Sequence, residues 1–150
     1  MNGAGEAAEA IDLTGDVSFN FEETFRAQYG RIARLIASVV RDPARAEELA
    51  VEVFLKLWRS PQAQGPKADA WLYKVAVRKG LDELRRRTRR ARYEALFGFG
   101  QGVATPEDIR KVSETQEQVR FVLAVVSRRK AELLVLHSHG FGYVELASTL

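Results

Sequence analysis

The chain is predicted to be an all-α protein. Apolar residues recur every three or four positions through most of its length, and no stretch alternates with the two-residue period of a strand. Helix-start signals, of which Asp42-Pro43 is the clearest, stand where those patterns begin.

Each element can be read in order. Residues 1–18 are rich in Ala, Gly and acids and carry Glu6, Glu9, Asp12 and Asp16 with no basic residue, a net −4. They are read as a disordered acidic tail. Phe21, Phe25, Tyr29, Ile32, Leu35, Ile36 and Val39 then mark one face of a first helix. Asp42-Pro43 closes it and opens a second, with Asp42 as N-cap and Pro43 at the first helical position. That helix is expected to run to about Trp58, with Ala46, Leu49, Ala50, Val53, Phe54, Leu57 and Trp58 on its apolar face. Two prolines and a glycine make Ser60 to Lys67 a loop. A third helix begins near Asp69 and continues through the arginine run. A Gly-rich segment around 97–107 reads as a linker. Beyond it, Thr105-Pro106 starts a helix supported by Val112, Val119, Val122, Leu123 and Val126 to about Ser127. A shorter helix, Ala131 to His137, ends at Gly140, and a last one starts near Tyr143 and is still running at Leu150.

Composition narrows the function classes. With 150 residues and 46% hydrophobic content, the chain can fill one ordinary core or two small helical ones. The absence of cysteine excludes disulfides and thiolate chemistry, and fits a reducing cytoplasm. No apolar run approaches the ~18 residues of a membrane span, so no membrane insertion and a cytoplasmic location are expected. No catalytic constellation is visible. His137 and His139, at i and i+2 of a helix, do not face one metal, and no metal, cofactor or enzymatic activity is expected.

Two helix faces carry chemistry instead. On the second helix Glu48, Val51, Glu52 and Leu55 share a side opposite the core, mixing acids with aliphatics where a solvated face holds polar residues alone. That combination suits a basic, partly apolar partner. On the third, Trp71, Lys74, Arg78, Arg85 and Arg89 share a side opposite Leu72, Tyr73, Ala76, Val77, Leu81 and Leu84. Residues 71–92 hold nine Lys or Arg against Asp82 and Glu83, a net +7 within a chain whose total is +3. A row of cations with an aromatic at one end suits phosphates and an unstacked base. Arg85, Arg86, Arg87, Arg89, Arg90 and Arg92 extend the charge further.

These residues resemble a known family. The run Asp42-Pro43-Ala44-Arg45-Ala46-Glu47-Glu48-Leu49 through Trp58 resembles the second conserved region of extracytoplasmic-function (ECF) sigma factors. Trp71-Leu72-Tyr73-Lys74 and Leu81-Asp82-Glu83-Leu84-Arg85-Arg86-Arg87 resemble its adjoining promoter-reading helix. Arg128-Arg129-Lys130-Ala131-Glu132-Leu133-Leu134 and Gly140-Phe141-Gly142-Tyr143 onward resemble the start of the family's region four. The resemblance implies a region-2 domain at 19–93, a linker at 94–107, and a region-4 helix-turn-helix at 108–150 that stops before its recognition helix. It implies that Glu47, Glu48, Val51, Glu52 and Leu55 meet the β′ clamp of core RNA polymerase. Trp71, Lys74, Arg78, Lys79, Arg85, Arg86 and Arg89 are implied to lie along promoter DNA at the minus-ten element. The loop Ser60 to Ala68 corresponds to the family's base-capturing loop. An anti-sigma factor is a further expected partner. The chain departs from the family at Val77-Arg78, where Arg-Asn is common, and at Val51, where a glutamine is common. The expected function is promoter recognition and melting with core polymerase. The alternative is a helical interaction protein that regulates a sigma factor or polymerase without directing transcription itself.

Overall fold

The computed structural model describes residues 18–97 and 114–149, and all regular structure among them is helical. The acidic tail up to residue 17, the linker from 98 onward, the Thr105-Pro106 start, Val112 and Leu150 lie outside the described residues. Among the described residues six α-helices follow in order: α1 Phe21–Val40, α2 Pro43–Trp58, α3 Ala68–Phe97, α4 Glu114–Val125, α5 Arg128–Ser138 and α6 Tyr143–Thr149.

The first boundaries are set by local chemistry. Asn20 caps α1, its side chain accepting from the Glu23 N–H at 3.1 Å. At the other end Arg41 takes a left-handed conformation (φ 61°), and its N–H donates to the Ala37 carbonyl. Asp42 is extended, as a residue before proline prefers, and its carboxylate accepts from the Arg45 N–H at 3.1 Å. The Gln64 side-chain amide reaches back to the Leu57 and Trp58 carbonyls, each at 3.0 Å, satisfying the C-terminus of α2. A short 3-10 turn, Pro61–Ala63, lies within the expected loop.

α1, α2 and α3 enclose the main core. Ile32, Leu35, Ile36 and Val39 of α1 meet Val53, Phe54 and Leu57 of α2, and Leu72, Ala76, Val77 and Leu81 of α3 close it. Phe54 sits among the rings of Phe21, Phe25 and Tyr29, with centroids 6.3, 5.0 and 6.2 Å away. Fully burying a side chain of this size contributes about 1.5–3 kcal/mol. Leu123, Ala131, Val135, Leu136 and Leu146 of the last three helices extend the same cluster over α3.

Several sequence expectations are corrected. Trp58 is 60% exposed rather than part of the core face, because it lies at the end of α2 and meets only the edge of Phe21, 5.0 Å away. α3 runs on to Phe97, so residues 94–97, expected to begin the linker, are helical. α5 starts at Arg128, before the expected Ala131, because the Ser127 side chain accepts from the Lys130 N–H. Of the apolar residues expected to anchor α4, Leu123 is buried, whereas Val119 and Val122 are exposed. In α6, Leu146 is buried, since the helix lies against α5 and α3.

Candidate protein and nucleic-acid interfaces

The outward side of α2 carries Glu47, Glu48, Val51, Glu52 and Leu55, all exposed, with Val51 at 44% and Leu55 at 45%. Neighbouring cations hold two of the acids in place. Arg45 contacts Glu48 at 2.8 Å and Lys79 contacts Glu52 at 2.9 Å. At 100° per residue Trp58 falls on the same side as Val51 and Leu55, so the surface is an apolar strip flanked by carboxylates. The tryptophan was misplaced from sequence because it sits at the edge of both faces. Its position in the last turn, beyond the reach of the core, was the available signal.

The cationic side of α3 is less uniform than its sequence. Lys74 is partly exposed and Arg89 exposed, and neither makes an ion pair among the described residues. Arg92 likewise makes none, and the other cations are engaged. Arg78 donates through Nε to Glu132 Oε1 at 2.9 Å, and Lys79 holds Glu52. Arg85 donates through Nη2 to the Val126 carbonyl at 2.9 Å, while its Nε is buried without a partner among the described residues. Arg86 and Arg87 turn back onto Glu83, at 2.6 and 3.3 Å. The arginine run is therefore not wholly a solvated positive surface: Glu83, on the inner side of the helix, draws part of it inward. Trp71, expected as an exposed aromatic, is partly buried and packs against the core.

Glu83 is the centre of an ionic cluster at the α2–α3 junction, where it also accepts from Arg45 Nε at 3.0 Å. Burial pushes its carboxyl upward, but hydrogen bonds from Arg45 and Arg86 outweigh that and hold the pKa below its ordinary value. Asp42 is likewise lowered, first by the Arg87 guanidinium at 2.9 Å and then by the Arg45 backbone N–H. Arg45, held by Glu83 and then Glu48, is raised. The cap of α2 is thus tied to the middle of α3, fixing the two candidate faces relative to each other.

The histidines address different partners, His137 through Nδ1 to the Phe141 carbonyl and His139 through Nε2 to Ser38. Among the described residues no cluster of three or more His, Cys, Asp or Glu is arranged to hold a metal ion. None of the helices described is long and apolar enough to cross a membrane.

Residues 24–90, spanning most of α1 through most of α3, match the family model for sigma-70 region 2. The three-helix unit with its two outward faces is thus the part of the chain that is similar to sigma-70 region 2. Relatives include the ECF RNA polymerase sigma factor SigK of Mycobacterium sp. (strain KMS), 25% identical over 85% of this chain and 72% of the relative. SigK of Mycolicibacterium vanbaalenii is 34% identical over 59% of this chain and 51% of its own length. SigE of Mycolicibacterium smegmatis is 29% identical over 93% of this chain and 57% of its own length. The chain is thus similar to the ECF sigma factors, a family of RNA polymerase-associated transcription initiation factors. No solved structure matches it at comparable significance.

Proposed function

We propose that the chain binds core RNA polymerase through α2 and engages promoter DNA through α3, acting in the cytoplasm as an ECF-type sigma factor that recognises and melts promoters. In this reading residues 19–93 form the polymerase- and minus-ten-binding domain, and 108–150 belong to region four. Glu47, Glu48, Val51, Glu52 and Leu55 dock on the β′ clamp. Trp71, Lys74, Arg78, Lys79, Arg85, Arg86 and Arg89 follow the separated strand, and the loop 60–68 captures a base. An anti-sigma factor is a natural regulator of such a protein. The observation that carries the reading is the α2 surface: Val51, Leu55 and Trp58 stand exposed between carboxylates, on a helix whose other side is fully packed. A lone solvated helix gains nothing from that arrangement, whereas a desolvated interface does.

The test is charge reversal. Glu48→Lys with Glu52→Lys leaves the core side of α2 untouched, so helical content stays unchanged while pull-down of core polymerase is lost. Exposed pairs give only ~0.2–1 kcal/mol each, so the loss comes from repulsion inside a partly desolvated interface. Undiminished affinity for core in the double variant overturns the assignment. A second reading, an interaction protein that regulates without directing transcription, is favoured by one feature: Arg78 and Arg85 of the cationic side are already engaged by the chain itself. In vitro transcription with core polymerase separates the two.

A further inference from the structure

A glutamate on a solvated helix face samples several rotamers, and ordering one of them at an interface costs affinity. The Glu48 side chain is 66% exposed on the outward side of α2, yet its Oε2 accepts from Arg45 Nη1 at 2.8 Å. Arg45 is itself held from behind. Its Nε donates to Glu83 Oε1 of α3 at 3.0 Å, and the Glu83 side chain is only 6% exposed. Arg86 at 2.6 Å and Arg87 at 3.3 Å hold Glu83 in turn. Arg87 also reaches Asp42 Oδ2, while Asp42 Oδ1 accepts from the Arg45 backbone N–H. The Arg45 guanidinium thus lies between a buried carboxylate and an exposed one. Because the group is planar and rigid, its bond to Glu83 sets the direction in which Nη1 points.

We infer that Arg45 is a positioning residue for the polymerase contact: anchored on Glu83, it holds the Glu48 carboxylate in the orientation that core polymerase meets. A carboxylate has acceptor sites on both oxygens, so Glu48 held through Oε2 still offers Oε1 to a cation of the partner. Charge argues the other way. Arg45 sets a cation beside an acidic strip, and a basic partner is repelled by it. That repulsion is blunted, because Glu48 and Glu83 flank the guanidinium, and an exposed charge changes affinity by at most about fivefold. Immobilising a side chain with many rotamers costs up to about tenfold. Pre-ordering therefore outweighs repulsion: removing Arg45 weakens polymerase binding although it makes the surface more acidic.

This inference rests on the reading of α2 as the polymerase-binding helix, and the variants keep the two apart. The full chain, labelled with fluorescein at its N-terminus, is titrated with core polymerase and followed by anisotropy. Arg45→Lys keeps the charge but replaces the planar fork with one ammonium, which cannot reach both carboxylates in those directions. Arg45→Gln removes the charge as well. Each is expected to weaken binding by about three- to tenfold. Glu48→Ala is also expected to weaken binding, and with no carboxylate left to position, neither Arg45 substitution should weaken it further. Thermal melts choose a temperature at which every variant is folded, so that lost stability is not read as lost affinity. Parental affinity in Arg45→Lys, tighter binding by Arg45→Gln, or a loss that persists in the Glu48→Ala background overturns the positioning role. The α2 reading survives each of those results as long as Glu48→Ala weakens binding. Parental affinity in both Glu48→Ala and the Glu48→Lys, Glu52→Lys double variant overturns the α2 reading, and the role of Arg45 with it.

Discussion

Glu83 is nearly removed from water, and its two oxygens accept from Arg45 at 3.0 Å and Arg86 at 2.6 Å. Its folded pKa is depressed, so the carboxylate contributes stability above its unfolded value and loses that contribution as pH falls through the folded one. Glu83→Gln is expected to cost about 1.5–3 kcal/mol at neutral pH, the range for hydrogen bonds to charged groups. The gap to the parent chain should close as pH is lowered below the ordinary carboxylate value of 4.5. Urea titrations at a series of pH values measure it, and a gap independent of pH would assign the effect to packing. The same cluster separates cations that look alike in sequence. Lys74 and Arg89 make no ion pair among the described residues, whereas Arg86 is committed to Glu83. Lys74→Ala and Arg89→Ala are each expected to lower the salt-dependence slope of single-strand binding by about 0.7, the value per phosphate neutralised. Arg86→Ala should instead lower stability and change the slope less. Equal slope changes for the three would mean that Glu83 does not hold Arg86 in solution.

Helix by helix, what was legible in the sequence was what local chemistry decides. Asp42 caps α2 with Pro43 at its first position as expected, because both signals act within one turn. The packed sides of α1 and α2 followed from periodicity, apart from Trp58 at the end of α2. Packing against a particular neighbour was not legible, and α3 illustrates why. Its outward side was readable as a direction, but the acid facing Arg78 and the carbonyl facing Arg85 lie 54 and 41 residues away. Nothing in a wheel projection names a partner at that distance. Gly80 is a second case: an interior glycine weakens a helix, and only the fold shows its neighbour. A Cβ built there lies 3.5–3.8 Å from the Val39 side chain of α1, ordinary contact distance. Gly80→Ala should therefore fit and raise stability by roughly 0.5–1 kcal/mol through helix propensity. A thermal melt reads the change. Destabilisation would show that α1 and α3 approach more closely than this geometry.

Across the whole molecule, the last three helices share an apolar cluster with the first three, and a titratable contact joins them at a distance from the Arg78–Glu132 pair. The Ser38 hydroxyl of α1 donates to the Leu35 carbonyl at 2.6 Å and lies 2.9 Å from His139 Nε2. With the hydroxyl proton committed, the imidazole completes the contact as the Nε2–H tautomer and needs no second proton. Burial lowers the His139 pKa from its ordinary 6.5. The docked form therefore binds fewer protons than the undocked one between the two pKa values. Docking is at full strength above about pH 6.5, weakens as pH falls through that value, and levels off once the docked form also protonates. Hydrogen exchange across 128–149, compared at pH 7.5 and 5.5 after correction for the intrinsic pH effect, should show lower protection at the acidic value, while α1 and α2 hold theirs. His139→Gln keeps a donor for Ser38 but does not titrate, and should flatten the difference. A parent chain whose C-terminal protection is the same at both pH values, or a His139→Gln chain that keeps the full difference, would place the docking free energy in the apolar cluster and the Glu132 pairs alone.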